Sequence, residues 1–172
     1  MPDTLLRLWL VLAMLGMSAC TQNEVTTVFL VRHAEKVEPY DTDDPPLTVK
    51  GRARAASLLT QLSVDTVHAL YSTDYRRTRQ TLMPIAEAMQ TDIRLYEAHD
   101  YEGVAERIRR EHSGENVVVS GHSNTILPII EALGSEPPLD SIGHQDYDYI
   151  FKVSLDIGHA EEVELMNYQT FP

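Results

Sequence analysis

The chain has 172 residues, of which 43% are hydrophobic and 23% are charged, the proportions of one globular domain with its own core. Its 26 acidic and 14 basic residues give a formal net charge of −12 at pH 7, which argues against a nucleic-acid partner because phosphate backbones require a basic surface. The charge does not exclude a small phosphorylated ligand, since a few arginines can form a positive pocket in an acidic protein.

The first 20 residues have the pattern of a bacterial lipoprotein leader. An apolar stretch, Leu8–Met17, follows Arg7 and is succeeded by small residues ending at Cys20, the only cysteine of the chain. Met17-Ser18-Ala19-Cys20 resembles a lipobox, in which the cysteine becomes the acylated first residue of the mature protein. The alternatives are an ordinary secretory signal or a short anchor helix.

We therefore predict a cleaved signal peptide over residues 1–19, lipidation at Cys20 and a short tether over residues 20–24. The residue after Cys20 is Thr21 and not Asp, so we expect an exported lipoprotein of the outer membrane that faces the periplasm. A lone cysteine also excludes an intramolecular disulfide. Nothing after the leader approaches the roughly 18 apolar residues of a membrane-spanning helix.

The remainder, residues 25–172, is predicted to be one domain in which strands and helices alternate. Continuous apolar or β-branched runs indicate strands, and apolar residues three or four apart indicate helices. Six strands are predicted, at Val25–Val31, Val67–Tyr71, Ile93–Tyr96, Val117–Ser120, Tyr149–Leu155 and Val163–Tyr168. Four helices are predicted, at Val49–Leu62, Arg76–Met89, Glu102–His112 and Thr125–Leu133. This order predicts an α/β fold with a mostly parallel sheet covered on both faces.

Polar residues follow three of the predicted strands. Arg32-His33 follows the first strand, Ser72–Arg77 the second, and Gly121-His122 the fourth. Because ligands of such sheets bind at the carboxyl ends of the strands, we expect these three segments to form one site.

The three segments resemble the motifs of the histidine phosphatase superfamily, which has the phosphoglycerate-mutase-like fold. Its members carry Arg-His-Gly/Ala after the first strand, a Ser-x-x-x-x-Arg motif after the second and Gly-His after a later one. The resemblance extends from about Val25 to the end of the chain. It implies a three-layer α/β/α sandwich and a phosphatase that hydrolyses a small phosphomonoester through a phosphohistidine. We expect no cofactor, and the scattered histidines show no metal-ligand spacing.

Within this resemblance, His33 is the expected nucleophile, because a neutral imidazole can attack phosphorus through one nitrogen while the other is held by an acceptor. Arg32 and Arg77 are expected to bind the phosphate oxygens by charge-assisted hydrogen bonds. The family pattern, roughly Ser-Ser-Asp-Leu-x-Arg-Ala-x-x-Thr, places the functional arginine at 77, whereas Arg76 and Arg79 are expected at the rim or in solvent. His122 is the expected second histidine of the pocket.

Three further assignments concern residues close to these motifs. Ser123 opens the turn before a helix and is an expected phosphate ligand. The general acid stays open between Glu97, which fits the Leu-x-Glu context of the family, Asp100 in the same loop, or neither residue. Glu35 is expected to orient its neighbours and not to donate a proton.

Two rival functions are considered. Gly121 to Thr125 nearly matches the Gly-x-Ser-x-Gly nucleophile elbow, which would make the chain an esterase with Ser123 as nucleophile. Its partners would come from Asp140, His144 and His159, but the fifth position lacks glycine and the two arginines are left without a role. The other rival is a non-catalytic lipoprotein that binds phosphate.

A mutase is disfavoured because mutases generally need longer covering loops to exclude water. We expect the specificity for the small phosphorylated substrate to come from three segments, Glu38–Pro46, Glu97–Gly103 and Gly134–Tyr149.

Overall fold

The computed structural model describes residues 25–39, 41–62, 66–156 and 159–168. The predicted signal peptide, Cys20 and the tether lie outside these residues, and the lipoprotein assignment therefore stays a prediction. Within the described ranges, no helix is both long and apolar enough to cross a bilayer.

The described chain forms a six-stranded sheet with four helices. The strands are β1 (Thr26–Arg32), β2 (Val67–Thr73), β3 (Ile93–Tyr96), β4 (Asn116–Gly121), β5 (Tyr149–Asp156) and β6 (His159–Asn167). The helices are α1 (Val49–Gln61), α2 (Arg76–Met89), α3 (Tyr101–Glu111) and α4 (Ile126–Ala132). Every predicted element is present, with boundaries that differ by a few residues at most.

The strand order in the sheet is β3-β2-β4-β1-β5-β6. The first four strands run parallel, whereas β5 is antiparallel to β1 and β6 is antiparallel to β5. The prediction of a mostly parallel α/β sheet is confirmed. The carboxyl ends of β1, β2 and β4 lie side by side, because β4 pairs with β2 on one edge and with β1 on the other.

The central strands are apolar on both faces because helices cover both sides of the sheet. On one face, side chains of the sheet such as Val31 and Val118 pack with Leu58 of α1 and Leu82 of α2. On the other face, a second cluster joins the sheet to α3 and α4 through residues that include Leu30, Val119, Ile108 and Ile129. These layers make the three-layer sandwich that the sequence predicts.

Local signals in the sequence account for the ends of two helices. The Thr48 hydroxyl accepts a hydrogen bond from the Gly51 N–H at 2.9 Å and so begins α1. Gly51 also lies against the loop after β1, since a Cβ there would come within 2.2 Å of the Glu35 carbonyl oxygen. After α4, Gly134 has a φ of 93°, a conformation that glycine adopts without strain.

Candidate active site

The ends of β1, β2 and β4 form the wall of a cleft of about 300 Å³, which we call the histidine cleft. The structure therefore brings together the three segments that the sequence analysis placed at one site. The cleft is lined by Arg32, His33, Lys36, Tyr75, Arg77, Ala98, His99, His122, Ser123, Asn124, Thr125 and His144.

His33 is held rigidly at the end of β1. Its backbone N–H donates to the Gly121 carbonyl at 2.9 Å, and the next N–H, of Ala34, donates to the Thr81 hydroxyl at 3.0 Å. The side chain is 3% exposed. Its Nδ1 lies 2.8 Å from the Ala34 carbonyl oxygen, which can only accept, so Nδ1 carries the proton and Nε2 carries a lone pair.

The pKa of His33 is lowered from 6.5 to about 3. Burial is the main cause because it disfavours the charged imidazolium, and the nearby Arg32, His122 and Arg77 act in the same direction. The hydrogen bond to Ala34 opposes this shift without cancelling it. At neutral pH the ring is therefore uncharged, with a free lone pair on Nε2, which is the form a nucleophile needs.

Arg32 is clamped by backbone oxygens from a distant part of the chain. Its Nη1 donates to the carbonyls of Gly143, His144 and Asp146 at 2.8, 3.0 and 3.2 Å. Its Cζ lies 4.1 Å from the centre of the Tyr147 ring, a cation–π contact. One terminal nitrogen is thus fully used, while the buried Nε has no hydrogen-bond partner among the described residues.

Arg77 approaches the cleft from the first turn of α2. Its Nη1 donates to the Asp43 carbonyl at 3.2 Å, Nη2 lies 3.5 Å from Nδ1 of His122, and Cζ lies 4.3 Å from the centre of the Tyr75 ring. The Nε is buried and, like that of Arg32, has no partner within the described part of the chain. Burial lowers the pKa of both guanidinium groups, which nevertheless stay charged at neutral pH.

The neighbouring arginines are placed differently. Arg76 and Arg79 do not line the histidine cleft. The Arg76 side chain is exposed, and Arg79 pairs with the exposed carboxylate of Asp74 at 2.9 Å. Of the three arginines in this segment, Arg77 is the one at the cleft.

His122 faces His33 across the cleft, with 5.5 Å between the ring centres. Its backbone N–H donates to the Thr125 hydroxyl at 2.8 Å, which fixes the turn into α4. Glycine is required before it, because a Cβ at Gly121 would come within 2.7 Å of that hydroxyl oxygen. Burial, followed by the charges of Arg77 and Arg32, lowers the pKa of His122 from 6.5 to about 4.

The two candidate acids, Glu97 and Asp100, do not line the histidine cleft. They line a second cleft of about 630 Å³, here called the carboxylate cleft, which shares the wall formed by Tyr75, Ala98 and His99. Asp100 caps α3, since its carboxylate accepts a hydrogen bond from the Gly103 N–H at 3.1 Å. Glu97 is exposed and forms no ion pair among the described residues. The carboxylate cleft is lined by Thr73, Asp74, Tyr75, Tyr96, Glu97, Ala98, His99 and Asp100.

Glu35 forms ion pairs with two basic residues. Arg54 binds its two carboxylate oxygens at 2.9 and 2.8 Å, and Lys50 lies 3.1 Å away. Burial alone would raise the pKa of Glu35, but the hydrogen bonds from Arg54 and Lys50 outweigh it and lower the pKa to about 2. A carboxylate that stays ionised at neutral pH is no proton donor, in agreement with the orienting role expected from the sequence.

Ser123 lines the cleft in the turn between β4 and α4. No hydrogen bond joins its hydroxyl to a histidine within the described ranges, and its backbone lies outside the left-handed region. Asp140 is exposed, and the His144 ring is 68% exposed and 3.6 Å from Glu38. The side chain of His159 lies outside the description. The strained turn and the oriented histidine of a serine hydrolase are therefore not among these features.

Several cleft residues were not singled out from the sequence. The sequence places three of them, Tyr75, Lys36 and His99, near the motifs but gives no further reason to assign them to the site. The three carbonyls that bind Arg32 are backbone groups, and backbone groups cannot be identified from a sequence pattern. Among the described residues, no group of three or more His, Cys, Asp or Glu side chains could hold a metal ion.

Comparison with known proteins supplies independent information. Residues 28–104 match the model of the histidine phosphatase superfamily (branch 1), a segment that contains Arg32, His33 and Arg77. No curated protein sequence matches the chain significantly.

Three solved structures illustrate the structural similarity. The protein histidine phosphatase SixA, complexed with tungstate, is 19% identical with a TM-score of 0.65 over 82% of this chain and 96% of its own. A mycobacterial glucosyl-3-phosphoglycerate phosphatase with inorganic phosphate is 15% identical, with a TM-score of 0.61 over 84% and 97%.

A mutant phosphoserine phosphatase from Entamoeba histolytica, in complex with phosphoserine, is 15% identical with a TM-score of 0.61 over 83% and 96%. At such low identity these likenesses show the fold alone. Residues 28–104 thus match the histidine phosphatase superfamily in sequence, and the described chain shares the fold of these three solved structures.

Proposed function

We propose that the chain is a phosphatase that hydrolyses a small phosphomonoester through a phosphohistidine on His33. The observation that carries the proposal is the state of this ring, which is buried, uncharged and held through Nδ1 by the Ala34 carbonyl. Nε2 is then the free nucleophilic atom, and Arg32, Arg77 and His122 surround it.

The proposed first step forms a bond between Nε2 of His33 and phosphorus while the bond from phosphorus to the leaving oxygen breaks. Arg32 and Arg77 offset the charge on the phosphoryl oxygens, and their bonds to carbonyl oxygens use Nη1, so we assign the contact with the phosphoryl group to Nη2. In the second step water attacks the phosphohistidine, releases inorganic phosphate and restores the lone pair of Nε2. Positive charge at this site comes from the two guanidinium groups, so we propose that turnover needs no metal.

The leaving group is proposed to occupy the carboxylate cleft, which opens beside the histidine cleft through their shared wall. The leaving oxygen of an alkyl phosphate needs a proton, and both candidate acids, Glu97 and Asp100, line that cleft. We propose Glu97, because the Asp100 carboxylate already accepts the hydrogen bond that caps α3. Hydrolysis is favoured over mutase chemistry because the loop from Glu97 to Asp100 spans only four residues and provides no long cover.

Export as a lipoprotein remains part of the proposal. It is supported by the lipobox-like sequence ending at Cys20 and by the short spacing between Cys20 and β1. An anchored phosphatase in the periplasm would act on phosphorylated small molecules of the cell envelope or on phosphomonoesters taken up from outside.

The test is hydrolysis of an aryl phosphate by the full chain, with a chelator present. We expect His33→Ala to abolish turnover, whereas the matched variant His68→Ala, which changes an exposed histidine far from the cleft, retains it. A ³²P-labelled substrate should leave an acid-labile label on the wild type and none on His33→Ala.

The esterase and the non-catalytic binding protein predict different results in these assays. Loss of activity in Ser123→Ala but not in His33→Ala, or cleavage of aryl esters, would establish the esterase and overturn the proposal. Binding of phosphate without turnover of any phosphomonoester would identify the non-catalytic binding protein.

A further inference from the structure

Two buried threonines lie behind His122, on the side away from His33. Thr73 ends β2 and Thr78 lies in the first turn of α2, and both are 0% exposed. The Thr73 hydroxyl oxygen lies 3.0 Å from Nε2 of His122 and 3.0 Å from the Thr78 hydroxyl oxygen. The Thr78 hydroxyl is also within 3.0 Å of the Thr73 carbonyl and 2.9 Å of the Tyr75 carbonyl.

The number of protons on these hydroxyl groups determines which group donates and which accepts in each contact. A carbonyl oxygen only accepts, so the single hydroxyl proton of Thr78 is directed to the carbonyls and its oxygen must accept from Thr73. The single proton of Thr73 is thereby used, and its oxygen can only accept from His122. Nε2 of His122 therefore carries the proton, and Nδ1 carries the lone pair.

We propose that Thr73 and Thr78 are positioning residues that fix His122 in the Nε2–H tautomer and so direct Nδ1 toward the phosphoryl group. The inference rests on the proposed site but not on its turnover. The second threonine departs from the rough family pattern, which has alanine at the position of Thr78, and alanine has no hydroxyl to accept the Thr73 proton.

The arrangement gives the two histidines opposite orientations. His33 is held through Nδ1 and presents Nε2, whereas His122 is held through Nε2 and presents Nδ1, which lies 3.5 Å from Nη2 of Arg77. When a phosphate group enters, its negative charge favours protonation of Nδ1, which then becomes a donor to a phosphoryl oxygen. The bond from Nε2 to Thr73 is the same before and after this protonation, so no hydroxyl has to turn.

The first test reads the tautomer directly in the full chain labelled with ¹⁵N-histidine. Two-bond ¹H–¹⁵N correlations of the His122 ring, assigned with a His122→Gln variant, should show the Nε2–H form in the wild type. A wild-type ring in the Nδ1–H form would overturn the proposal. In Thr78→Val the Thr73 proton loses its acceptor, and we expect a substantial share of the Nδ1–H form.

The second test separates positioning from packing. Thr73→Val keeps the shape but leaves the Nε2–H donor unpaired, and we expect kcat for an aryl phosphate to fall roughly tenfold with little change in KM. Thr73→Ser keeps the hydroxyl and should restore kcat. If Thr73→Ser were as impaired as Thr73→Val, the methyl group and not the hydroxyl would be responsible, and the proposal would fail.

The tautomer is measurable whether or not the protein turns over. If no phosphomonoester were hydrolysed but the ring changed tautomer in Thr78→Val, the proposed function would fail while the positioning role stood. If the ring stayed in the Nε2–H form in Thr78→Val, with Thr73→Val active at the wild-type rate, the positioning role would fail and the phosphatase would stand.

Discussion

Replacing Arg77 with alanine tests whether this residue, and not Arg76 or Arg79, binds the transferring phosphoryl group. The matched control is Arg76→Ala, which removes the same side chain one residue earlier, where it is exposed and outside the histidine cleft. Both variants remove one positive charge from the same turn of α2, so a difference between them reports position and not net charge.

The expected magnitude follows from the donors that Arg77 has left. Nη1 is bound to the Asp43 carbonyl and Nε is buried, whereas among the described residues Nη2 has only the long contact to His122. Loss of one preorganised donor to a developing anion typically costs about 3 kcal/mol, and we therefore expect kcat/KM of Arg77→Ala to fall about 100-fold. Arg77→Lys, which keeps the charge but not the fork, should fall only about tenfold.

The assay is hydrolysis of an aryl phosphate by the full chain, together with inhibition by inorganic phosphate. Arg76→Ala should stay within about threefold of the wild type, as is usual for an exposed residue. Equal losses in Arg76→Ala and Arg77→Ala, or an Arg77→Ala variant as active as the wild type, would refute the assignment of Arg77.

Three other outcomes are expected. The ring signals of His33, followed by NMR in the full chain, should not titrate between about pH 5 and pH 8, because the pKa lies near 3; a midpoint near 6.5 would contradict this. Glu35→Gln, which leaves the ion pair between Arg54 and Asp148 in place, should lower the free energy of unfolding in urea by about 2 kcal/mol at pH 7. Because the pKa of Glu35 falls from 4.5 to about 2 on folding, that loss should be complete above pH 4.5 and vanish as the pH falls through 2, and a pH-independent loss would argue against the ion pair of Glu35 with Arg54. Glu97→Gln should reduce kcat for alkyl phosphates about 100-fold but leave aryl phosphates nearly unchanged, and equal effects on both would exclude Glu97 as the leaving-group acid.

The position of the site follows from the sequence because parallel strands bring their carboxyl ends to one edge. Arg32-His33 and Gly121-His122 needed only the two apolar runs before them to be placed at that edge. The choice of Arg77 over Arg76 rests on the family pattern, and helix geometry adds only that neighbours about 100° apart cannot both face one cleft.

Other parts of the site depend on contacts that span the chain. The clamp on Arg32 comes from carbonyls more than 110 residues away, and backbone oxygens are the same whatever the side chain. The hydrogen bonds from His122 to Thr73 and from Thr73 to Thr78 depend on the distance between the end of β2 and the first turn of α2. The sequence predicts that the loop with Glu97 and Asp100 lies near the site. It does not predict that the Asp100 carboxylate caps α3.

Because β5 runs antiparallel to β1, a late segment of the chain holds Arg32, which lies at the end of the first strand. The first residues of β5 pair with the last residues of β1. The segment before β5 therefore lies beside the site, where its three carbonyls bind Arg32. A nascent or proteolysed chain ending after α4 would contain every motif residue, yet its Arg32 would lack these restraints. We therefore expect proteolysis that removes β5, β6 and the segment before them to lower the activity of the chain while every motif residue remains in place.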